Sequence, residues 1–178
     1  MNAVEIPWSV KVRIEDVTEG GRHFVLCADG RTRGAIASAT GLVDLPRLEA
    51  RFEVRRHGRA GLRVQGTVSA NVVQTCVVTL DPVANEVGEE VEVVFSPDVP
   101  DPRPESDVAD LDATAVDPPE PLVGRVVDLG AVAVEFLVLG LDPYPRKPDA
   151  AFEAPAVEVL PEGPFAALAR LQQPPEKK

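Results

Sequence analysis

The feature that most constrains this chain is one parity of apolar residues, held on both sides of a single turn. Leu48, Phe52 and Val54 fall on even positions, with Glu49, Arg51, Glu53 and Arg55 between them. After "RHGRAG" (56–61), Leu62, Val64, Val68, Ala70 and Val72 keep the even positions. Such alternation builds a strand with one apolar and one polar face. Two strands around a glycine-containing turn predict a long hairpin, and a slip of one residue would turn its whole apolar set into water. The parity runs on through Gln74, Cys76, Val78 and Leu80, which predicts Cys76 to be a small buried strand residue.

The rest of the chain divides in the same way. "SVKVRIEDV" alternates, with Val10, Val12 and Ile14 on one side and Lys11, Arg13 and Glu15 on the other. "RHFVLCA" (22–28) follows Gly20-Gly21 and is expected to be its hairpin partner. The period then changes. Asp29 can cap a short helix over about 30–41, Ala35, Ile36 and Ala39 share a face, and Gly41 can end it. Val91, Val93 and Phe95 mark one further strand. Asp128 can cap a second helix, over about 128–141, with Leu129, Val132, Ala133, Phe136 and Leu137 on one face, and Asp142-Pro143 stops it. Val134, Val138 and Leu139 lie on its other sides. A helix this apolar is buried on two sides or docks a partner. Val134, Val138, Leu139, Tyr144, Arg146 and Lys147 are therefore the candidate partner-docking residues.

These elements predict an α+β fold: a curved antiparallel sheet or partial barrel of about five to seven strands covered by two helices. Residues 97–121 hold seven prolines, eight acids and one basic residue, Arg103. Such a segment cannot bury enough apolar surface to order itself, and a mobile acidic insertion is expected. The organisation expected is one domain over 1–149 and a Pro-rich flexible tail over 150–178, with "GPFAALARL" (163–171) as a short amphipathic piece.

Charge separates the two halves. Residues 1–80 carry 11 Lys/Arg and 8 Asp/Glu, and residues 81–178 carry 7 and 21, for a net −11. A uniformly acidic surface repels nucleic acid; this chain has a mildly basic front instead. Its richest segment, "RLEARFEVRRHGRAGLR" (47–63), supplies Arg51, Arg55, Arg56, Arg59 and Arg63 as candidate RNA contacts. Arginine makes bidentate phosphate contacts and stacks on bases. A solvated sheet face with Glu49 and Glu53 among the arginines is the plainer reading. The low aromatic content argues against a base-stacking platform, so any RNA contact is expected at the backbone and sensitive to salt.

Catalysis and metal binding find little support. A structural zinc wants four ligands in close-spaced pairs, whereas His23, Cys27, His57 and Cys76 have no such spacing. A Cys27–His23 pair is the only local nucleophile–base arrangement, and two residues on one strand account for it. No phosphate-binding glycine loop is present. No catalytic residue, metal or cofactor is expected. The N-terminus lacks a basic start with an apolar run, and no stretch nears the ~20 apolar residues of a membrane helix, so a cytoplasmic protein is expected.

Three blocks in order, "VSANVVQTCVVTLDPV", "VVDLGAVAVEFLVLGLDPYPRKP" and "PFAALARL", resemble the YceD family of large ribosomal RNA subunit accumulation proteins, most closely its alphaproteobacterial type. The resemblance runs from about Ile6 to Leu171. It implies a bacterial cytoplasmic protein needed for accumulation of 23S rRNA, acting in rRNA processing or large-subunit assembly. The partners it implies are large-subunit rRNA or its precursor and ribosomal or assembly proteins, with no membrane and no DNA. Many relatives carry Cys-x-x-Cys where this chain has Cys76 and Thr79, and some carry a second cysteine cluster after the apolar helix. Here the first pair keeps only Cys76 and no cysteine follows the apolar helix, which removes the zinc site that the resemblance implies. The function expected is a non-catalytic ribosome-biogenesis factor. The alternatives are a protein-only adaptor or assembly chaperone without RNA contact and, more remotely, a nuclease.

Overall fold

The structure, a computed structural model, describes residues 7–97 and 118–152. Its strands are β1 (Lys11–Arg13), β2 (Arg22–Cys27), β3 (Asp44–His57), β4 (Gly61–Thr75), β5 (Pro82–Ser96), β6 (Glu120–Pro121) and β7 (Val126–Asp128). Its α-helices are α1 (Gly30–Thr40) and α2 (Leu129–Leu139). Five strands form one open sheet in the order β2-β3-β4-β5-β6, and β1 pairs with β7 in a separate two-stranded ribbon. The α+β class stands, and the sheet is not closed into a barrel.

The parity of the long hairpin sets the register. Val54 faces Val64, Ala50 faces Val68 and Leu48 faces Ala70. Leu48, Ala50, Phe52, Val54, Leu62, Val64, Val68, Ala70 and Val72 are all buried. Gly66 occupies the one inward position of β4 without a side chain. A Cβ there would overlap the Arg51 carbonyl oxygen, so only glycine allows β3 and β4 to approach this closely.

Both predicted caps form. Asp29 accepts the Thr32 amide at 2.7 Å, and Gly41 closes α1 in the left-handed region at φ 73°. The buried face of α1 is Ile36 and Ala37, whereas Ala35 and Ala39 are exposed. The helix has turned relative to the expected face, because it packs against β3 through Ile36.

The first strand differs most from expectation. The β2 partner is β3, not the 10–15 segment. The chain leaves β1 through a short 3-10 turn (Ile14–Asp16), and Ile14 and Val17 plunge into the core, so no hairpin can form there. Instead Asp128 gathers the N-terminal segment. Its carboxylate accepts the Val10 amide at 2.7 Å and the Ser9 hydroxyl at 2.5 Å, and it caps α2 through Gly130 and Ala131. One side chain thus satisfies the helix start and pins a strand 118 residues away in sequence.

Helix α2 packs on β4, β5 and β1. Leu129 and Leu137 are fully buried, each adding ~1.5–3 kcal/mol by burial. The last residues of the expected mobile insertion are ordered: Glu120–Pro121 runs parallel to the end of β5, with Glu120 opposite Phe95. Residues 98–117 of that insertion, the tail from residue 153 and the 163–171 piece lie outside the described residues. Among the described residues no helix is long and apolar enough to cross a membrane.

Candidate nucleic-acid interface

The odd positions of β3 and β4 make the outer face of the sheet. Arg51 stands between Val25 of β2 and Thr67 of β4, and Arg55 lies directly opposite Arg63. Neighbouring acids engage part of this set. Arg55 meets Glu53 at 2.7 Å, Arg47 meets Glu49 at 2.7 Å, and Arg63 pairs with Glu92. Hydrogen bonds from these arginines hold the Glu53, Glu49 and Glu92 carboxyls below the usual carboxylate range. Arg51 and Arg59 are exposed and make no ion pair among the described residues. Arg51 lines a shallow depression of about 420 Å³ with His23, Val25, Gln65 and Thr67. Glu53 lines it too, so the Arg51 guanidinium shares the concavity with Gln65, Thr67, an exposed valine and a carboxylate bonded to Arg55.

Arg56 does not join them. Its even position turns it to the inner side, where Nε donates to the Val17 carbonyl at 2.8 Å and Nη2 reaches the Ile14 carbonyl at 3.5 Å. It fastens the turn after β1. The parity of the hairpin already carried that signal.

The Cys76 sulfur is completely buried, as its parity predicts. The strand, however, ends at Thr75, and residues 77–79 form a turn, so the alternation does not reach Val78 and Leu80. Leu80 is exposed, with φ 61°. The turn wraps the thiol in its own amides. The Thr79 amide reaches Sγ at 3.4 Å, the Leu80 amide donates to the Cys76 carbonyl, and the Val77 amide donates to the Pro145 carbonyl. Hydrogen bonds from Thr79, Lys147 and Val78 lower the thiol from 9.0 to about 6 against its burial. Lys147 bonds Asp81 at 2.8 Å across this junction and holds that carboxyl low. Gln74, also buried, donates to the Asp142 carbonyl. The joint between the sheet and the segment after α2 is thus built from hydrogen bonds and one ion pair. His23 lies 3.6 Å from Glu53, and Cys27 is four residues along the strand from it, about 13 Å at strand rise. That separation is too long for proton transfer between them.

The expected docking residues separate. Val134 is buried at 8 % exposure and belongs to the core, because α2 lies deeper in the molecule than its sequence shows. Val138, Leu139 and Tyr144 are exposed, and so is Arg146. Lys147 is spent on Asp81. A second concavity, of about 800 Å³, lies between α2 and the end of β5, where Leu139 meets Phe95, Phe136 and Glu135. No periodic pattern signals it, since it depends on how the end of β5 meets β6, β7 and α2.

The model of the family described as "Large ribosomal RNA subunit accumulation protein YceD" matches residues 64–172. No curated protein and no solved structure matches the chain.

Proposed function

This chain belongs to the YceD family, and we propose on that footing that it is a non-catalytic cytoplasmic factor supporting the accumulation of large-subunit rRNA. In this reading the outer sheet face meets rRNA phosphates. The observation that carries it is the pair of exposed arginines, Arg51 and Arg59, which make no ion pair among the described residues (Arg51 only helps to hold the Glu49 carboxyl low), beside Arg55 and Arg63, which face each other in register. Free guanidinium groups gain most from phosphate, whereas the paired ones must first leave a carboxylate. The pairing of Glu53 and Glu92 with their neighbours makes the contact weak and tunable.

A second reading, a protein adaptor without RNA contact, draws on one observation. The family match begins at Val64, after Arg51, Arg55, Arg59 and Arg63. Charge reversal separates the two. The full chain carrying Arg51→Glu and Arg59→Glu replaces the wild type in cells, and 23S rRNA and its precursors are measured. The RNA-contact reading predicts loss of 23S accumulation with the protein level unchanged. Normal accumulation sinks it in favour of the adaptor. Cleavage of precursor rRNA by the purified chain would instead overturn the non-catalytic role.

A further inference from the structure

The concavity between α2 and the end of β5 differs from the sheet face in chemistry. Its floor is apolar: Val93, Phe95, Val132 and Phe136 line it, with Leu139 at the mouth. Leu139 is 69 % and Val123 77 % exposed, more apolar surface than a solvated rim needs. Four carboxylates also line it, and two of them are engaged elsewhere: Glu92 on Arg63, and Asp128 on Ser9 and Val10. Glu120 and Glu135 are exposed, without an ion pair among the described residues. At about 800 Å³ the space falls within the ~300–1,000 Å³ of clefts that hold a ligand. An RNA strand would meet repulsion here.

From the charge complementarity and the apolar floor we propose that this groove binds a cationic amphipathic helix of a protein partner. The partner's apolar face lies on Val93, Phe95 and Phe136, and its lysines or arginines reach Glu120 and Glu135. Helix-in-groove recognition uses this division, with apolar anchors for affinity and rim charges for approach and register. All the lining residues fall inside residues 64–172, so the groove belongs to the part of the chain that matches the family. The proposal deepens the reading of the chain as an assembly factor by giving its protein partner a place and a chemistry.

The test uses the full chain and three synthetic 14-residue peptides followed by fluorescence anisotropy: a Leu/Lys amphipathic helix, its Leu/Glu counterpart and a Gly/Lys polycation. The Leu/Lys helix binds, and the other two bind at least ten-fold more weakly. Glu120→Lys with Glu135→Lys lowers Leu/Lys affinity at least ten-fold. Val123→Ser with Leu139→Ser lowers it at least five-fold. All four positions are exposed, so the variants fold. Glu86→Lys with Glu90→Lys, on the outer face of β5, leaves affinity within two-fold. Equal losses from the groove and β5 pairs, or equal binding of the polycation, would reduce the effect to bulk charge and overturn the proposal. A ten-fold gain from Phe165→Ser with Leu168→Ser in the full chain assigns the groove to its own 163–171 segment, and loss of a dimer in Leu139→Ser assigns it to a second copy; either overturns it. Binding of an rRNA fragment is measured in the same preparations. Groove variants that leave peptide binding unchanged while rRNA still binds sink this inference alone. A wild-type chain that binds the peptide but no rRNA sinks the phosphate-contact reading alone.

Discussion

The outer sheet face and the α2 groove are both charged and both partly apolar, yet they are organised in opposite ways. On the sheet, Arg55 with Glu53, Arg47 with Glu49 and Arg63 with Glu92 bring opposite charges together within the pleat. In the groove, like charges gather around a hydrophobic floor, and Glu120 and Glu135 make no ion pair among the described residues. Neighbouring pairs on a flat, solvated face cancel each other's long-range field and contribute little stability. Unpaired charges at a concave, low-dielectric rim project their field outward. On the proposed reading, phosphate gains most at Arg51 and Arg59, and a cationic partner at the groove rim. The two regions also differ in the family match, which includes the groove and begins only after the arginines.

The comparison breaks first if the platform under the arginines is lost. Gly66→Ala places a methyl group against the Arg51 carbonyl and must push β3 and β4 apart. The expected cost is about 2–3 kcal/mol, read as a fall in the urea midpoint at constant slope. Weakened RNA binding follows, because Arg51 moves with the strand.

Asp128→Ala acts on the groove side. It removes the α2 cap together with the bonds to Ser9 and Val10. About 1–2 kcal/mol is expected to go, and hydrogen exchange should speed up at Val10 and at the first turn of α2 while the β3–β4 amides stay protected. Uniform acceleration through the sheet would show that the two regions do not unfold separately.

Cys76 sharpens the contrast through pH. Its folded value of about 6 lies below its ordinary value of 9.0. The folded state therefore favours the thiolate, and the stabilisation is full above pH 9 and lost as pH falls through 6. Urea midpoints of the wild type should rise from pH 5.5 to 9 relative to Cys76→Ala. In the native protein iodoacetamide should modify exposed Cys27 and spare buried Cys76 until unfolding.

The smallest effect is expected from Glu53→Gln. Releasing Arg55 changes stability by less than about 0.5 kcal/mol and raises rRNA affinity two- to five-fold at low salt. An unchanged affinity would mean that Arg55 does not take part.

Much of this arrangement is legible in the residues. The even parity from Leu48 to Val72 gives the hairpin and its buried face, and Asp29, Gly41 and Asp128 mark both helices, because alternation and capping are local. The same parity also contains the inward turn of Arg56 and the missing side chain of Gly66. Three features escape. The pairing of β1 with β7 depends on Asp128 reaching across 118 residues to Val10. The burial of Val134 depends on which side of an apolar helix meets the sheet. The groove exists only where the end of β5 meets the stretch from Pro118 to Leu139, and no periodicity in either encodes it.

Phosphate contact by the outer sheet face is tested by the salt dependence of binding between the full chain and a single-stranded fragment of large-subunit rRNA, with and without Arg51→Glu and Arg59→Glu. Log affinity should fall linearly with log salt, and the double variant should lose a slope of about 1.4, at roughly 0.7 for each phosphate contact. A wild-type chain that does not bind the fragment, or a variant with an unchanged slope, would contradict that contact.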